Sequence, residues 1–405
     1  MTPIAIKPAD VSGSRTSTKI PSRLYSQSEP PSLIDFRKLC TRSCSAQEYP
    51  LASNVTSKIP IYDLSSHSAE DAKHINQLQD EWYNVLLSGP GVLVLKNFIT
   101  DHDLMNQVST IFNDIIASEA STTKGDHFAP SGKNSRIWNS FEKHAMRDPA
   151  SFLAYYSTPW FRHICTTWLG PSYQITAQVN LVRPGGQPQV PHRDYHLGFQ
   201  TAESCARYPK AMHLASQFLT LQGGVAHSDV PLESGPTRFL PFSQMFEEGF
   251  MAYRLPQFQE YFDQHWVSLP LDMGDAVFFN PALFHAAGEN RTSHIDRSVN
   301  LLQVSSAFGK TMEKINTSKI IEKCFDVLKD KYQREGLTPE VQAAVAAIAD
   351  GYPFPTDLDK RPPAPGGMAP ESEAEVLVRA LESRWAKDEV MEHLKGVKFD
   401  SLLGS

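Results

Sequence analysis

The sequence QVNLVRPGGQPQVPHRDYHLGF occupies residues 178–199 and carries the pattern that decides the fold. It begins as an apolar strand, passes through a Gly/Pro turn and then places His192, Asp194 and His196 at every second position. Alternate side chains of an extended segment share one face. The three side chains can therefore point together toward a metal ion, a catalytic centre or solvent, and their spacing alone does not decide among these.

Short apolar segments separated by Gly/Pro turns occupy most of the chain between residues 173 and 308. They read YQITAQVNLV, SQFLTLQGG, LESGPTRFLPFS, MGDAVFFNP and RSVNLLQVSS. Several short strands joined by tight turns are typical of an antiparallel barrel or sandwich. We therefore predict a mostly β fold with flanking helices.

The chain on either side of these strands differs in character. Residues 1–58 are rich in Ser, Thr and Pro without periodicity, which predicts an irregular N-terminal extension. Residues 59–310 are expected to form one catalytic domain. This domain begins with a helix, a Gly-Pro-Gly turn and a buried strand. Residues 311–405 are predicted to form a helical C-terminal extension.

One helix of this extension is predicted over residues 371–395. Leu377, Leu381 and Trp385 share one of its faces. An apolar helix face has to be covered. We expect either the barrel or a second copy of the chain to cover it, so a homo-oligomer formed through the C-terminal helices is one expectation.

Composition and charge exclude several classes of function. Lys and Arg number 38 against 45 Asp and Glu, so no broad basic surface for nucleic acid is expected. No apolar run is long enough to cross a membrane. The five scattered cysteines form no C-x-x-C pair and fit a reducing compartment. We expect a cytoplasmic protein, although residues 1–45 weakly resemble an organelle import signal.

Metal binding is the chemistry that the histidines suggest. Two histidines and one carboxylate can hold Fe(II) and leave positions open for a co-substrate and O₂. Such a site needs a histidine from a distant strand, and His285 follows the apolar run MGDAVFFNPALF. The motif His-x-Asp occurs three times, at His192/Asp194, His227/Asp229 and His294/Asp296.

The three pairs differ in their surroundings. His294/Asp296 begins only nine residues past His285, and no histidine but His393 follows to complete a site. His227/Asp229 lies in a connection rich in Gly, Ser and Pro, whereas His192/Asp194 follows a strand and a turn that let both side chains converge. We therefore favour His192/Asp194. His196 lies more than about 10 Å further along an extended chain and is expected to contact substrate or solvent.

These motifs, taken in order, resemble the phytanoyl-CoA dioxygenase family of Fe(II)/2-oxoglutarate-dependent oxygenases. The likeness covers about residues 80–310 and includes GVLVLKNF, LESGPTRFLPFSQ and MGDAVFFNPALFHAAGENRT. The resemblance implies a double-stranded β-helix, or jelly-roll, in which His192, Asp194 and His285 are the metal ligands and the catalytic centre. It also implies a basic residue past the distal histidine, which matches Arg297, as the binding residue for 2-oxoglutarate.

Arg291 competes with Arg297 for this last role. Arg291 lies in the predicted loop GENRT, whereas Arg297 opens an apolar strand and can face inward. We therefore favour Arg297. The chain departs from the family at residues 241–244, where Pro-Phe-Ser-Gln replaces the usual Pro-Gly-Ser-His.

We therefore predict a non-haem iron, 2-oxoglutarate-dependent dioxygenase that oxidises a small organic molecule, most simply by hydroxylation, and releases succinate and CO₂. Residues 124–144 are expected to help select the substrate. The alternative is a cupin-type metal-binding barrel, or a catalytically silent barrel that acts as a binding module. A cupin begins with His-x-His, however, where this chain has His-x-Asp.

Overall fold

The computed structural model describes residues 20–119 and 133–402. Ten strands lie in this part of the chain: β1 (Asn54–Thr56), β2 (Ile59–Asp63), β3 (Val92–Lys96), β4 (Asn134–Ile137), β5 (Tyr173–Val182), β6 (Thr220–Ala226), β7 (Arg238–Phe239), β8 (Ala276–Phe279), β9 (His285–Ala286) and β10 (Arg297–Ser306).

Fourteen α-helices accompany these strands in the described ranges. They are α1 (Leu33–Cys40), α2 (Ala72–Leu87), α3 (His102–Glu119), α4 (Ser140–Arg147), α5 (Pro149–Tyr156), α6 (Pro159–Leu169), α7 (Ala202–Cys205), α8 (Lys210–Ser216), α9 (Gly249–Ala252), α10 (Pro256–His265), α11 (Thr317–Glu335), α12 (Pro339–Ile348), α13 (Glu373–Glu382) and α14 (Lys387–Leu402).

Eight of the strands form one large mixed sheet. Their order is β1-β2-β3-β8-β6-β10-β5-β4, and only β2 and β3 run parallel. β10 lies near the middle and pairs with β5 along its whole length and with β6 on its other side. The inner strands are thus fixed on both edges, and side chains on them have little freedom to shift.

A second, smaller layer faces this sheet. β7 and β9 form a two-stranded sheet. Isolated bridges between neighbouring loops extend this sheet. Apolar side chains of both layers form one buried cluster, which includes Val94 and Val277 from the large sheet and Phe239 from the small one. Helices α2 to α6 belong to the largest cluster, together with β5, β6, β8 and β10. The large sheet is therefore packed on both faces.

The prediction of a mostly β chain is not confirmed, since 43% of the described residues are helical and 16% are in strands. Helices α3 to α6 account for much of the difference. Aromatic residues are frequent in α5 and α6, and the periodicity of an amphipathic helix is weak in α5, where nearly every side chain is buried. A helix that is apolar on most sides lacks the alternation that identifies it in a sequence.

The N-terminal segment is more ordered than predicted. Within the expected irregular region, α1 is capped by the Ser32 side chain, which accepts a hydrogen bond from Asp35 N–H. Phe36 of α1 is fully buried, and Tyr25 and Cys40 lie in the same apolar cluster. Residues 1–19 lie outside the described part. The sequence missed α1 because its eight residues are too few to show a clear period.

The C-terminal region contains helices α11 to α14, and residues 371–395 contribute to two helices where the sequence predicts one. The break follows Glu382, and Arg384 adopts a left-handed conformation with φ 57°. Leu377 and Leu381 are buried in the main cluster of the same chain. The face that motivated the oligomer prediction is therefore covered within this chain, and oligomerisation itself stays a prediction.

Among the described residues, no helix combines the length and the apolar character that crossing a bilayer requires.

Candidate metal centre

A backbone bridge brings the near and the distant histidine together. His192 N–H donates to His285 O at 3.0 Å, and His285 N–H donates to His192 O at 3.1 Å. Opposed residues of an antiparallel pair point their side chains to the same side. Two histidines 93 positions apart in the chain thus become neighbours on adjacent strand segments.

Asp194 completes the group. Its backbone N–H donates to Pro281 O at 2.9 Å, in the segment that precedes His285. Its Oδ2 lies 3.9 Å from His192 Nε2 and 3.7 Å from His285 Nε2. In the part of the chain that the structure describes, these three residues are the one set of potential ligands whose atoms all lie within 4.8 Å of one another.

Both imidazole rings are oriented by carbonyl groups. His192 Nδ1 lies 2.8 Å from Val190 O, and His285 Nδ1 lies 2.9 Å from Leu283 O. A carbonyl oxygen can only accept, so each Nδ1 carries the proton and each Nε2 presents a lone pair toward Asp194. This is the tautomer that a histidine needs in order to bind a metal through Nε2.

The charges at the site favour a cation. Burial lowers the pKa of His192, and neighbouring His285 lowers it further, which keeps the His192 ring neutral. Burial alone would raise the pKa of Asp194, but His192 and His285 hold it well below its usual range. Gln222 Nε2 also donates to Asp194 Oδ2 at 2.8 Å. Two imidazole nitrogens and one carboxylate oxygen therefore face a common point, an arrangement that favours a cation.

The three side chains line a cavity of about 490 Å³ between the two sheets. Arg297 lines the same cavity and is 5% exposed. Its Nη1 donates to Ser234 O at 3.2 Å and Gly288 O at 3.3 Å, and no carboxylate within the described ranges forms a salt bridge with it. Burial lowers the pKa of Arg297 to about 10, so the side chain is still charged at pH 7. The cavity thus combines a cluster of potential metal ligands with a buried cation that has no anionic partner among the described residues.

The structure separates the competing pairs from this centre. His227 is buried among α3 and α5, where Nδ1 lies 2.9 Å from Ser109 Oγ and Nε2 lies 2.9 Å from the Tyr155 hydroxyl. Asp229 Oδ1 accepts from Met273 N–H. His294 and Asp296 are exposed. Both nitrogens of His227 are already engaged, so it has none left for a metal.

The departure at residues 241–244 has a structural explanation. Phe242 has φ 72°, a left-handed conformation that favours glycine and that the family's usual glycine would adopt without strain. The Phe242 ring is buried and lies under Arg42, 4.9 Å from its centroid. Gln244 Nε2 donates to Gly89 O at 2.8 Å. Ring packing and this hydrogen bond hold the turn against the Gly-Pro-Gly turn at 89–91.

Two residues of the site were missed in the sequence. The Arg193 side chain points away from those of His192 and Asp194 and into an aromatic cluster. It donates to Phe246 O at 2.9 Å, and its Cζ lies 5.2 Å from the ring centroids of Phe250 and Phe284. Gln222 contacts Asp194 from the middle of the large sheet. In the sequence, Gln222 is marked only as a polar residue within the apolar segment SQFLTLQGG. Ordinary packing more often explains such a residue than a functional role does.

The segment predicted to select substrate is only partly described, because residues 124–132 lie outside the described ranges. Of the remainder, Arg136 lines the cavity and donates to Gln178 Oε1 at 2.7 Å. Phe141 is instead fully buried in the main core cluster. His196 does not line the cavity, and its ring packs 4.3 Å from that of Tyr195.

A comparison with protein families decides the affiliation. The sequence profile of the phytanoyl-CoA dioxygenase family matches residues 88–299, more than half of the chain and all of the segment between the Gly-Pro-Gly turn and β10. The chain belongs to this family. The phytanoyl-CoA dioxygenase family consists of non-haem iron enzymes that depend on 2-oxoglutarate.

Individual relatives are more distant. A protein described as dioxygenase andF, from Emericella variicolor, is 27% identical over 146 residues, which are 34% of this chain and 45% of that protein. The match therefore spans less than half of that relative. One similar solved structure is that of the non-heme alpha ketoglutarate dependent carbocyclase SnoK from nogalamycin biosynthesis. It is 15% identical to this chain, with a TM-score of 0.44, and the match covers 57% of this chain and 86% of that chain. HygX from Streptomyces hygroscopicus, solved with nickel and 2-oxoglutarate, has 12% identity, 58% and 90% coverage, and a TM-score of 0.39.

Proposed function

We propose that this protein is an Fe(II)/2-oxoglutarate-dependent oxygenase that oxidises a small organic molecule, most simply by hydroxylation, with release of succinate and CO₂. His192, Asp194 and His285 hold the iron, and Arg297 binds the far carboxylate of 2-oxoglutarate. The large and small sheets are the two layers of a double-stranded β-helix around this site. One observation carries the proposal: three potential ligands line the same cavity as a buried arginine that has no salt bridge within the described residues.

The donor set fits iron on chemical grounds. Two imidazoles with Nε2 lone pairs directed at one point, together with a single carboxylate, form the ligand set of non-haem Fe(II) oxygenases, which leaves positions open for other ligands. A purely structural zinc site would require four protein ligands. Within the described part of the chain, no fourth His, Cys, Asp or Glu approaches the three.

When bound, iron and 2-oxoglutarate supply the oxidising power that transfers an oxygen atom from O₂ to the substrate. The residues of this chain bind and orient these groups. His192 and His285 are held by carbonyl groups on Nδ1, so their rings stay aligned with Asp194. Arg297 meets a buried carboxylate that would otherwise lack a partner, and its planar guanidinium can bind both oxygens.

The cavity walls also shield the site from water. Phe279 packs against the His285 ring, with 4.8 Å between centroids, and Val277 and Val299 line the same space. An apolar wall beside a metal site lowers the local dielectric constant and limits the access of solvent. An enclosed cavity of this kind suits a small molecule as substrate better than a polymer.

The test is the formation of succinate from 2-oxoglutarate by metal-free protein to which Fe(II) is added back. The wild type should form succinate in an Fe(II)-dependent manner even without added substrate, at a slow rate. Asp194→Ala should form none, because the ion loses its charged ligand. Wild-type protein that binds Fe(II) but forms no succinate, with or without a panel of small organic molecules, would support the silent barrel instead.

A further inference from the structure

Gln222 lies on β6, an inner strand of the large sheet, and contacts one of the proposed metal ligands. Its Nε2 donates to Asp194 Oδ2 at 2.8 Å, the oxygen that faces both histidines. A carboxylate oxygen accepts hydrogen bonds and does not donate them, so the nitrogen of the amide has to be the atom that faces Asp194. The orientation of the Gln222 side chain is thereby fixed.

The orientation of the Asp194 side chain depends on the contact with Gln222 more than the histidine rings depend on their carbonyl partners. It lies beyond the end of β5, in a segment that pairs with its neighbour through single bridges. Each histidine is oriented by a nearby carbonyl oxygen, whereas within the described residues the carboxylate receives a side-chain amide donor from Gln222 alone. Gln222 is 2% exposed, and β6 is paired on both edges. A carboxylate that lies outside the regular strands is therefore held by an inner strand of the large sheet.

Packing alone does not explain a glutamine at this position. Gln222 Oε1 is buried and has no hydrogen-bond partner among the described residues. A buried polar atom without a partner is unfavourable, and an apolar side chain of the same size would avoid that cost. The amide is explained if its nitrogen serves Asp194.

We propose that Gln222 is a positioning residue of the metal centre, which holds the Asp194 carboxylate in the orientation that binds the ion. The proposal rests on the proposed function, because it takes Asp194 to be a ligand. Residues that orient metal ligands are part of a metal site, and their loss typically lowers metal affinity by about 10–100-fold.

Gln303 provides a matched control. It lies on β10 directly opposite Gln222, lines the same cavity and also carries a buried amide oxygen without a partner among the described residues. Its side chain makes no hydrogen bond to Asp194 in that part of the chain. Methionine replaces either glutamine with a similar volume and no amide.

The experiment titrates metal-free protein with Co(II) alone and follows the visible absorption of the bound ion. Gln222→Met should weaken Co(II) binding by about 10–100-fold and change the absorption spectrum of the bound ion, because the carboxylate is no longer held in place. Gln303→Met should bind Co(II) within about twofold of the wild type with an unchanged spectrum. Thermal unfolding checks that each variant is folded. If Gln222→Met is not folded, Gln222→Asn takes its place, because the asparagine amide is too short to reach Asp194. The same change in Co(II) affinity and absorption spectrum is then expected.

Wild-type affinity and spectrum in a folded Gln222 variant would overturn the proposal. Asp194→Ala, measured in the same titration, separates that result from a failure of the proposed function. If Asp194→Ala binds Co(II) as the wild type does, the ligand assignment itself is wrong, and the role of Gln222 is wrong with it. If Asp194→Ala loses the ion while both Gln222 variants retain it, only the role of Gln222 is wrong.

Discussion

Arg297 is a buried cation beside the proposed metal centre, and its role can be tested by substitution. Arg297→Ala should raise the apparent KM for 2-oxoglutarate by about two to three orders of magnitude, because removal of one partner from a buried ion pair costs about 3–5 kcal/mol. The measurement is initial succinate formation at increasing 2-oxoglutarate concentration. Arg291, which is exposed, provides the control, and Arg291→Ala should leave KM within a few-fold. The opposite pattern would show that Arg291 binds the co-substrate.

His227 makes stability depend on pH without any part in metal binding. Burial, together with a smaller contribution from His144, lowers its pKa from 6.5 to about 3. Below pH 6.5 the unfolded chain takes up a proton here that the folded protein does not. The stability that the neutral ring contributes is therefore fully present above pH 6.5 and is lost as the pH falls toward 3.

His227→Gln should reduce this pH dependence, because glutamine keeps two polar atoms and does not titrate. Between pH 7 and pH 5 the wild type should lose about 2 kcal/mol of unfolding free energy through this residue, and the variant should not. Urea unfolding at the two pH values measures the difference. An equal loss in both proteins would contradict the account, as would a loss of metal affinity in the variant.

Helix α1 stabilises the segment that carries His285. Phe36 is fully buried and packs against four aromatic rings, of Phe246, Phe258, Tyr261 and Phe284, the last of which precedes His285 in the chain. Phe36→Ala should lower the unfolding free energy by about 3–5 kcal/mol, as truncation of a large buried side chain does. Ile34→Ala on the same helix, where Ile34 is 80% exposed, should have little effect. Equal midpoints in urea for Phe36→Ala and the wild type would show that α1 is not part of the folded core.

The elements that sequence analysis recovered are those with a strong local pattern. β5 and β10 have the predicted bounds. The segment from Leu232 to Ser243 was read as a strand, but only β7 forms within it, because successive turns interrupt the pairing. Pairing between distant segments, such as that of His192 with His285, leaves no local trace. The proposed ligands follow from motif order, whereas the contact of Gln222 with Asp194 could not be predicted from the sequence.

The C-terminal helices belong to the same core as the sheet. α13 contacts α12, and α14 contacts α11 and α13, while Val376, Leu377, Val390 and Leu394 are buried in the main cluster. Truncation after residue 365 removes both helices and exposes the apolar faces that they cover. The truncated protein should aggregate or unfold at a clearly lower temperature, as light scattering and thermal unfolding would report. A soluble truncate with an unchanged midpoint would mean that the extension is an independent unit.

The central claim concerns the whole molecule, in which distant segments converge to bind iron and 2-oxoglutarate together. Its most direct test is the visible absorption of metal-free protein under anaerobic conditions after addition of Fe(II) and then 2-oxoglutarate. The wild type should develop a metal-to-ligand charge-transfer band that needs both additions, since the keto acid has to bind to the same ion as His192, Asp194 and His285. His285→Ala and Asp194→Ala should not develop it, whereas His227→Gln should. No band in the wild type, or an undiminished band in Asp194→Ala, would contradict the account.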